Sequence, residues 1–108
     1  MKISGIMVNG MPLIIPDNSS STGYFKAFMN YCIQNFPVTH LDSVILNKYF
    51  KPEQNHPDFR QGIFYNRIIG FNGVFYSTYS NNERKILIME TIAEDLGLNL
   101  RIITRNNH

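Results

Sequence analysis

The sequence predicts an α+β fold, three helices packed on a mostly antiparallel sheet, in the order β-β-α-α-β-β-α-β. Three observations lead there. Asn-Gly pairs at 9–10 and 72–73 each separate two runs rich in β-branched and aromatic residues, the pattern of a hairpin. Each hairpin is followed by apolar residues at helical spacing. At 108 residues, 44% hydrophobic and 13% aromatic, the chain reads as a single domain over 1–108 that can fill one core without disulfide or metal staples.

Taken in order, residues 3–8 form a strand, Asn9-Gly10 turns, and residues 11–15 return until Pro16, which cannot donate to a ladder. Residues 17–21 are rich in helix-capping side chains. A first helix is predicted over 22–35, with Tyr24, Phe25, Phe28, Tyr31, Cys32 and Phe36 as its apolar face and Pro37 as its stop. Leu41, Val44, Ile45, Lys48 and Tyr49 have helical spacing, predicting a short helix over 41–50. Residues 51–61 form a polar loop, long for a connection in a small domain. Residues 62–70 and 73–79 are the strands of the second hairpin, joined at Phe71-Asn72-Gly73. Ser80 stands three residues before Glu83, predicting a capping box at the start of the third helix. Ile88, Met89, Ile92, Ala93 and Leu96 give that helix its apolar face, and Gly97 its C-terminal cap. Residues 98–104 are the last strand.

The charge balance is mild, +2 at pH 7, which permits an anionic partner without demanding one. Thirteen residues are Asn, a bias that fits AT-rich coding in a bacterium or phage. A single cysteine, Cys32, excludes an internal disulfide and falls within a helical apolar pattern, the place of a small core residue. The chain shows neither a membrane-length apolar run nor a signal peptide, so a cytoplasmic protein is expected.

The stretch 73–96 carries most of the functional information: a strand, a Ser/Thr/Asn turn, and a helix whose first turn holds Arg84 and Lys85. Those cations oppose the helix macrodipole, while Glu90, Glu94 and Asp95 lie toward its negative end; each such placement costs a few tenths to about 1 kcal/mol. A helix start with exposed N–H groups, cations and hydroxyl or amide side chains suits a phosphate. The same residues also fit a solvated surface turn with unoptimised charges. Arg60 and Arg67, on elements expected nearby, add to the positive side, and Glu83 subtracts from it.

Catalytic signatures are thin. His40 and Asp42, and His56 and Asp58, are each two apart, which is not a metal-ligand pattern. Cys32 and His40 lack an orienting third group, and Pro57-Asp58 lacks the following Glu-x-Lys of a nuclease. The expectation is therefore no enzyme, no cofactor and no metal.

From Val74 to Leu98 the sequence VFYSTYSNNERKILIMETIAEDLGL resembles the C-terminal DNA-binding domain of the bacterial negative modulator of replication initiation, the sequestration protein that recognises hemimethylated GATC sites. The shared features are a strand, a Thr/Asn/Ser-rich turn, an Arg-Lys pair and an amphipathic helix. The resemblance implies that Ser77, Thr78, Ser80, Asn81, Asn82, Arg84 and Lys85 form a DNA face. Tyr79 and Glu83, standing in the turn, depart from the family's pattern. The functional expectation is a small non-enzymatic regulator of duplex DNA, touching it through Arg60, Arg67 and residues 77–85. The alternative is a protein-interaction module, such as a phage-encoded inhibitor of a bacterial defence system or an antitoxin-like partner, with Tyr49, Phe50 and Phe59 as exposed contacts. Strand edges leave room for a homodimer.

Overall fold

The computed structural model describes residues 1–15, 20–36, 43–59 and 67–105. The elements are β1 (Lys2–Val8), β2 (Met11–Pro12), α1 (Ser21–Asn35), α2 (Leu46–Tyr49), β3 (Ile68–Phe71), β4 (Val74–Ser77), α3 (Asn82–Leu96) and β5 (Leu100–Arg105). The fold is α+β in the expected order, with every described strand pairing antiparallel. The pairing is divided between two sheets, β2-β1-β5 and β3-β4.

Both hairpins turn on Asn-Gly. Asn9 and Gly10 have φ of 51° and 81°, and Asn72 and Gly73 have 50° and 78°. Two successive positive φ values define the type I′ turn, whose twist matches the flanking strands; glycine is the residue that takes the second without strain.

Boundaries shift where a local interaction overrides the pattern. The first return strand ends at Pro12, short of residue 15, although the Leu13 amide still bonds the Ile6 carbonyl at 2.9 Å. Helix α1 starts one residue early because Ser20, not a residue within the helix, caps it, accepting from the Gly23 amide at 2.9 Å. Helix α2 covers only Leu46–Tyr49, and its start is fixed by Ser43 Oγ, which accepts from the Leu46 amide at 3.0 Å and donates to Asp95 Oδ2 at 2.8 Å. The start predicted at Leu41, the strand residues 62–66, Pro16, Pro37, His40, Asp42 and Arg60 lie outside the described residues. Strand β5 begins at Leu100 because Leu98 still belongs to the end of α3: its amide donates to the Ala93 carbonyl at 2.8 Å, beside the left-handed cap Gly97.

One core joins the parts. Phe25, Phe28, Met29, Cys32 and Ile33 of α1 meet Ile88, Met89, Ile92 and Ala93 of α3 over Ile3, Ile6 and Val8 of β1. Ile3 and Ile6 both point inward, three apart, because a bulge between Ile3 and Gly5 shifts the β1–β5 register. Tyr76 is the link from β4. It is fully buried, its hydroxyl donates to Asn30 Oδ1 at 2.8 Å, and its ring meets Phe25 and Phe50 edge-on at centroid distances of 6.2 and 6.4 Å. Lys51 closes the outer edge of β4 through paired backbone bonds to Phe75, both 2.8 Å.

Candidate nucleic-acid interface

The candidate surface is built where β4 runs into α3. Side chains alternate along the strand. Tyr76 and Thr78 point inward, Phe75 and Ser77 are half-buried on the other side, and Tyr79 is exposed. Thr78 is only 4% exposed, and both its amide and its hydroxyl donate to the Arg67 carbonyl, at 2.8 and 2.9 Å. These two hydrogen bonds extend the hairpin past its regular strands and bring Arg67 beside the turn. The price of that position is Thr78 itself, whose amide and hydroxyl protons are both taken up by the Arg67 carbonyl.

The helix cap is Asn81, not Ser80. Asn81 has extended backbone (φ −75°, ψ 173°), and its side chain accepts from the Arg84 amide at 2.8 Å. With the cap one residue later, the position three beyond it is Arg84, so the predicted Ser80–Glu83 box does not form. Ser80 instead donates its amide to the Thr78 carbonyl at 3.0 Å. Its hydroxyl is out of solvent and has no hydrogen-bond partner among the described residues.

Lys85 is also reassigned. It is 3% exposed, and its ammonium reaches back to donate to the Ser80 carbonyl while lying 5.7 Å from the centre of the Phe25 ring. Burial, and then the nearby Arg67 charge, lower its pKa from the ordinary value. The supposed second surface cation thus braces the turn from inside. Arg84 remains exposed, as does Glu83, which sits favourably near the positive end of the helix.

Of the other expected residues, Asn82 is half-buried and its amide nitrogen donates to the Met1 carbonyl at 2.7 Å. Ser77 Oγ accepts from the Tyr79 amide at 3.1 Å. Arg67, Ser80 and Asn81 line one hollow of about 340 Å³ together with Thr78 and Tyr79. Arg84 lies on a neighbouring cleft of about 220 Å³, where Ser77, Tyr79 and Ser80 reappear. Lys48, Tyr49 and Asp58 also border that cleft, and sequence reading did not bring them to the site.

The aromatic contacts expected for a protein partner are mostly internal. Phe50 and Phe59 are buried and Tyr49 is half-buried. The exposed aliphatic side chains are elsewhere: Val44 is 94% exposed, Ile14 92% and Met11 69%.

Asp58 and His56 have structural partners, and Cys32 is buried. Asp58 Oδ2 is 2.7 Å from Lys51 Nζ, and that hydrogen bond and charge hold its carboxyl below the ordinary value. His56 Nδ1 accepts from the Asp58 amide at 3.1 Å. Burial pushes the Cys32 thiol up to about 12, which leaves it un-ionised and unreactive near neutral pH. Among the described residues, no three His, Cys, Asp or Glu side chains gather where they could hold a metal ion. No helix formed by those residues is long and apolar enough to cross a membrane. Comparison with protein-family models, with curated proteins and with solved structures finds no match.

Proposed function

We propose that this chain is a small, non-enzymatic, cytoplasmic domain that binds duplex DNA through the turn 77–81, Arg67 and the start of α3. The observation that carries the reading is the pairing of two exposed guanidinium groups, Arg67 and Arg84, with the Asn81-capped helix start and the hollow beside it. Arginine and exposed helix N–H groups are the usual partners of phosphate. Arg60 belongs to the same proposal through its place in the sequence.

The test is fluorescence anisotropy with labelled duplex DNA at two salt concentrations. Affinity falls with rising salt, with a slope of about −0.9 for each phosphate neutralised. Arg67→Ala with Arg84→Ala weakens binding and reduces that slope by about two contacts. Binding that ignores both salt and the double substitution rules the reading out.

A second reading, a protein-interaction module, draws on the near-complete exposure of Val44 and Ile14. Aliphatic side chains open to water suit burial against a partner protein, although scattered examples are common on monomers. A pull-down from bacterial lysate, with and without nuclease, separates the two: a partner that survives nuclease favours protein, and one lost with it favours DNA.

A further inference from the structure

The cleft beside Arg84 adds to the proposed DNA surface several groups that duplex binding does not use. Its buried side is apolar, formed by Phe25, Met29 and Ile88. Tyr49 and Tyr79 supply aromatic surface nearer to solvent. Lys48 and Arg84, both exposed, put two cations on the border. Asp58 is the opposing charge, and the Lys51 ammonium at 2.7 Å already neutralises it. Ser80, whose buried hydroxyl has no partner among the described residues, borders the same space.

Size narrows the occupant. The cleft measures about 220 Å³. A cavity of about 150 Å³ takes a benzene ring, and drug-sized ligands occupy roughly 300–1,000 Å³. The cleft is half open, so one ring system can be seated in it, and any larger polar group remains at the border, where the cations are. Aromatic side chains bind the faces of planar bases, and Lys and Arg bind the phosphate.

We infer that this cleft is a binding site for a planar aromatic ring carrying an anionic group, the chemistry of a mononucleotide. The ring lies over the apolar floor between Tyr49 and Tyr79, and the phosphate lies between Lys48 and Arg84. The inference goes beyond duplex binding and does not depend on it: Lys48 belongs to the cleft alone, and Arg67 lines only the neighbouring hollow. The nucleotide has two possible sources, the free monophosphate or a nucleotide turned out of DNA.

Isothermal titration calorimetry of the intact chain tests it with AMP, GMP, CMP and TMP, and with adenosine and inorganic phosphate as separate probes. At least one monophosphate gives saturable binding, tighter than adenosine or phosphate alone. Lys48→Ala and Arg84→Ala each weaken it by about fivefold, the scale of one exposed charge contact. Arg67→Ala leaves it unchanged while lowering duplex affinity, so failure of this site and failure of the duplex reading give different results. A second arm uses duplex DNA containing 2-aminopurine, whose emission rises when the base leaves the stack. A rise abolished by Lys48→Ala assigns the nucleotide to DNA, whereas heat with a free monophosphate and no rise assigns it to solution. No saturable heat and no rise overturns the inference, as does adenosine binding as tightly as AMP.

Discussion

The two hairpin–helix units of this chain share their local construction and differ in what surrounds it. Each turns on Asn-Gly with nearly the same backbone angles, and each feeds a 15-residue helix capped by a side-chain oxygen that accepts from the amide three residues on. In the first unit the helix start is anchored by a buried residue and carries no charge. That residue is Ser21, next to the cap, which accepts from the Ile3 amide at 2.9 Å and ties α1 to β1. Strand β1 has a partner on both sides. In the second unit the helix start is open: Asn81 and Arg84 are exposed, Arg67 stands beside them, and two hollows border the turn. The same turn and cap chemistry can therefore anchor a junction or present one, and the residues flanking the cap decide which.

The comparison breaks most completely at Tyr76, the residue that fastens the second hairpin to α1. Tyr76→Ala removes a fully buried ring, its bond to Asn30 and its edge contacts with Phe25 and Phe50. Loss of a buried aromatic of this size costs about 3–5 kcal/mol. Urea unfolding should show one transition at a lower midpoint, because a single core spans both units. Two separated transitions would mean that the units fold independently and that the shared core does not couple them.

A smaller change sharpens the comparison by acting on equivalent positions. Ser20→Ala and Asn81→Ala each remove one cap bond and should each cost about 1 kcal/mol in urea unfolding. Their effects on DNA diverge. Ser20→Ala leaves duplex affinity unchanged, whereas Asn81→Ala lowers it, because the helix start that loses its cap is the one proposed to meet phosphate. Equal loss of affinity from both would show that the caps act only through global stability.

The difference between the units was partly legible in the sequence. Asn-Gly turns and helical apolar spacing act over a few residues, so both hairpins and both long helices could be read directly. Cap register could not, because Ser80 and Asn81 are both capping residues and only the backbone at the turn selects between them. Thr78 was placed with Ser77 on one surface, although neighbours on a strand face opposite ways. The division into two sheets depends on β1 pairing with β5 at the far end of the chain, which no local pattern encodes. Arg67, Asn81 and Arg84 stood out by type and position. Lys48 and Asp58 did not, and Tyr49 stood out only as an aromatic contact for a protein partner, because all three reach the cleft from a separate segment through tertiary packing.

Lys85 offers the smallest effect and the most exacting check on how the second junction works. The sequence gives it the same standing as Arg84, one residue away in the first turn of a helix. The fold separates them: a rotation of about 100° per residue around the helix axis carries Arg84 toward solvent and Lys85 under the turn. Lys85→Met keeps most of the buried stem and removes only the ammonium and its bond to the Ser80 carbonyl. That loss is partly offset, because the desolvated charge is removed as well, so stability should change by no more than about 1 kcal/mol. Duplex affinity should change by less than about twofold, because a buried ammonium held on the Ser80 carbonyl makes no phosphate contact, while Arg84→Ala alone weakens binding several-fold. A loss from Lys85→Met as large as that from Arg84→Ala would mean that the turn opens on DNA and delivers the lysine to it, and the second junction would then be a moving part and not a fixed surface.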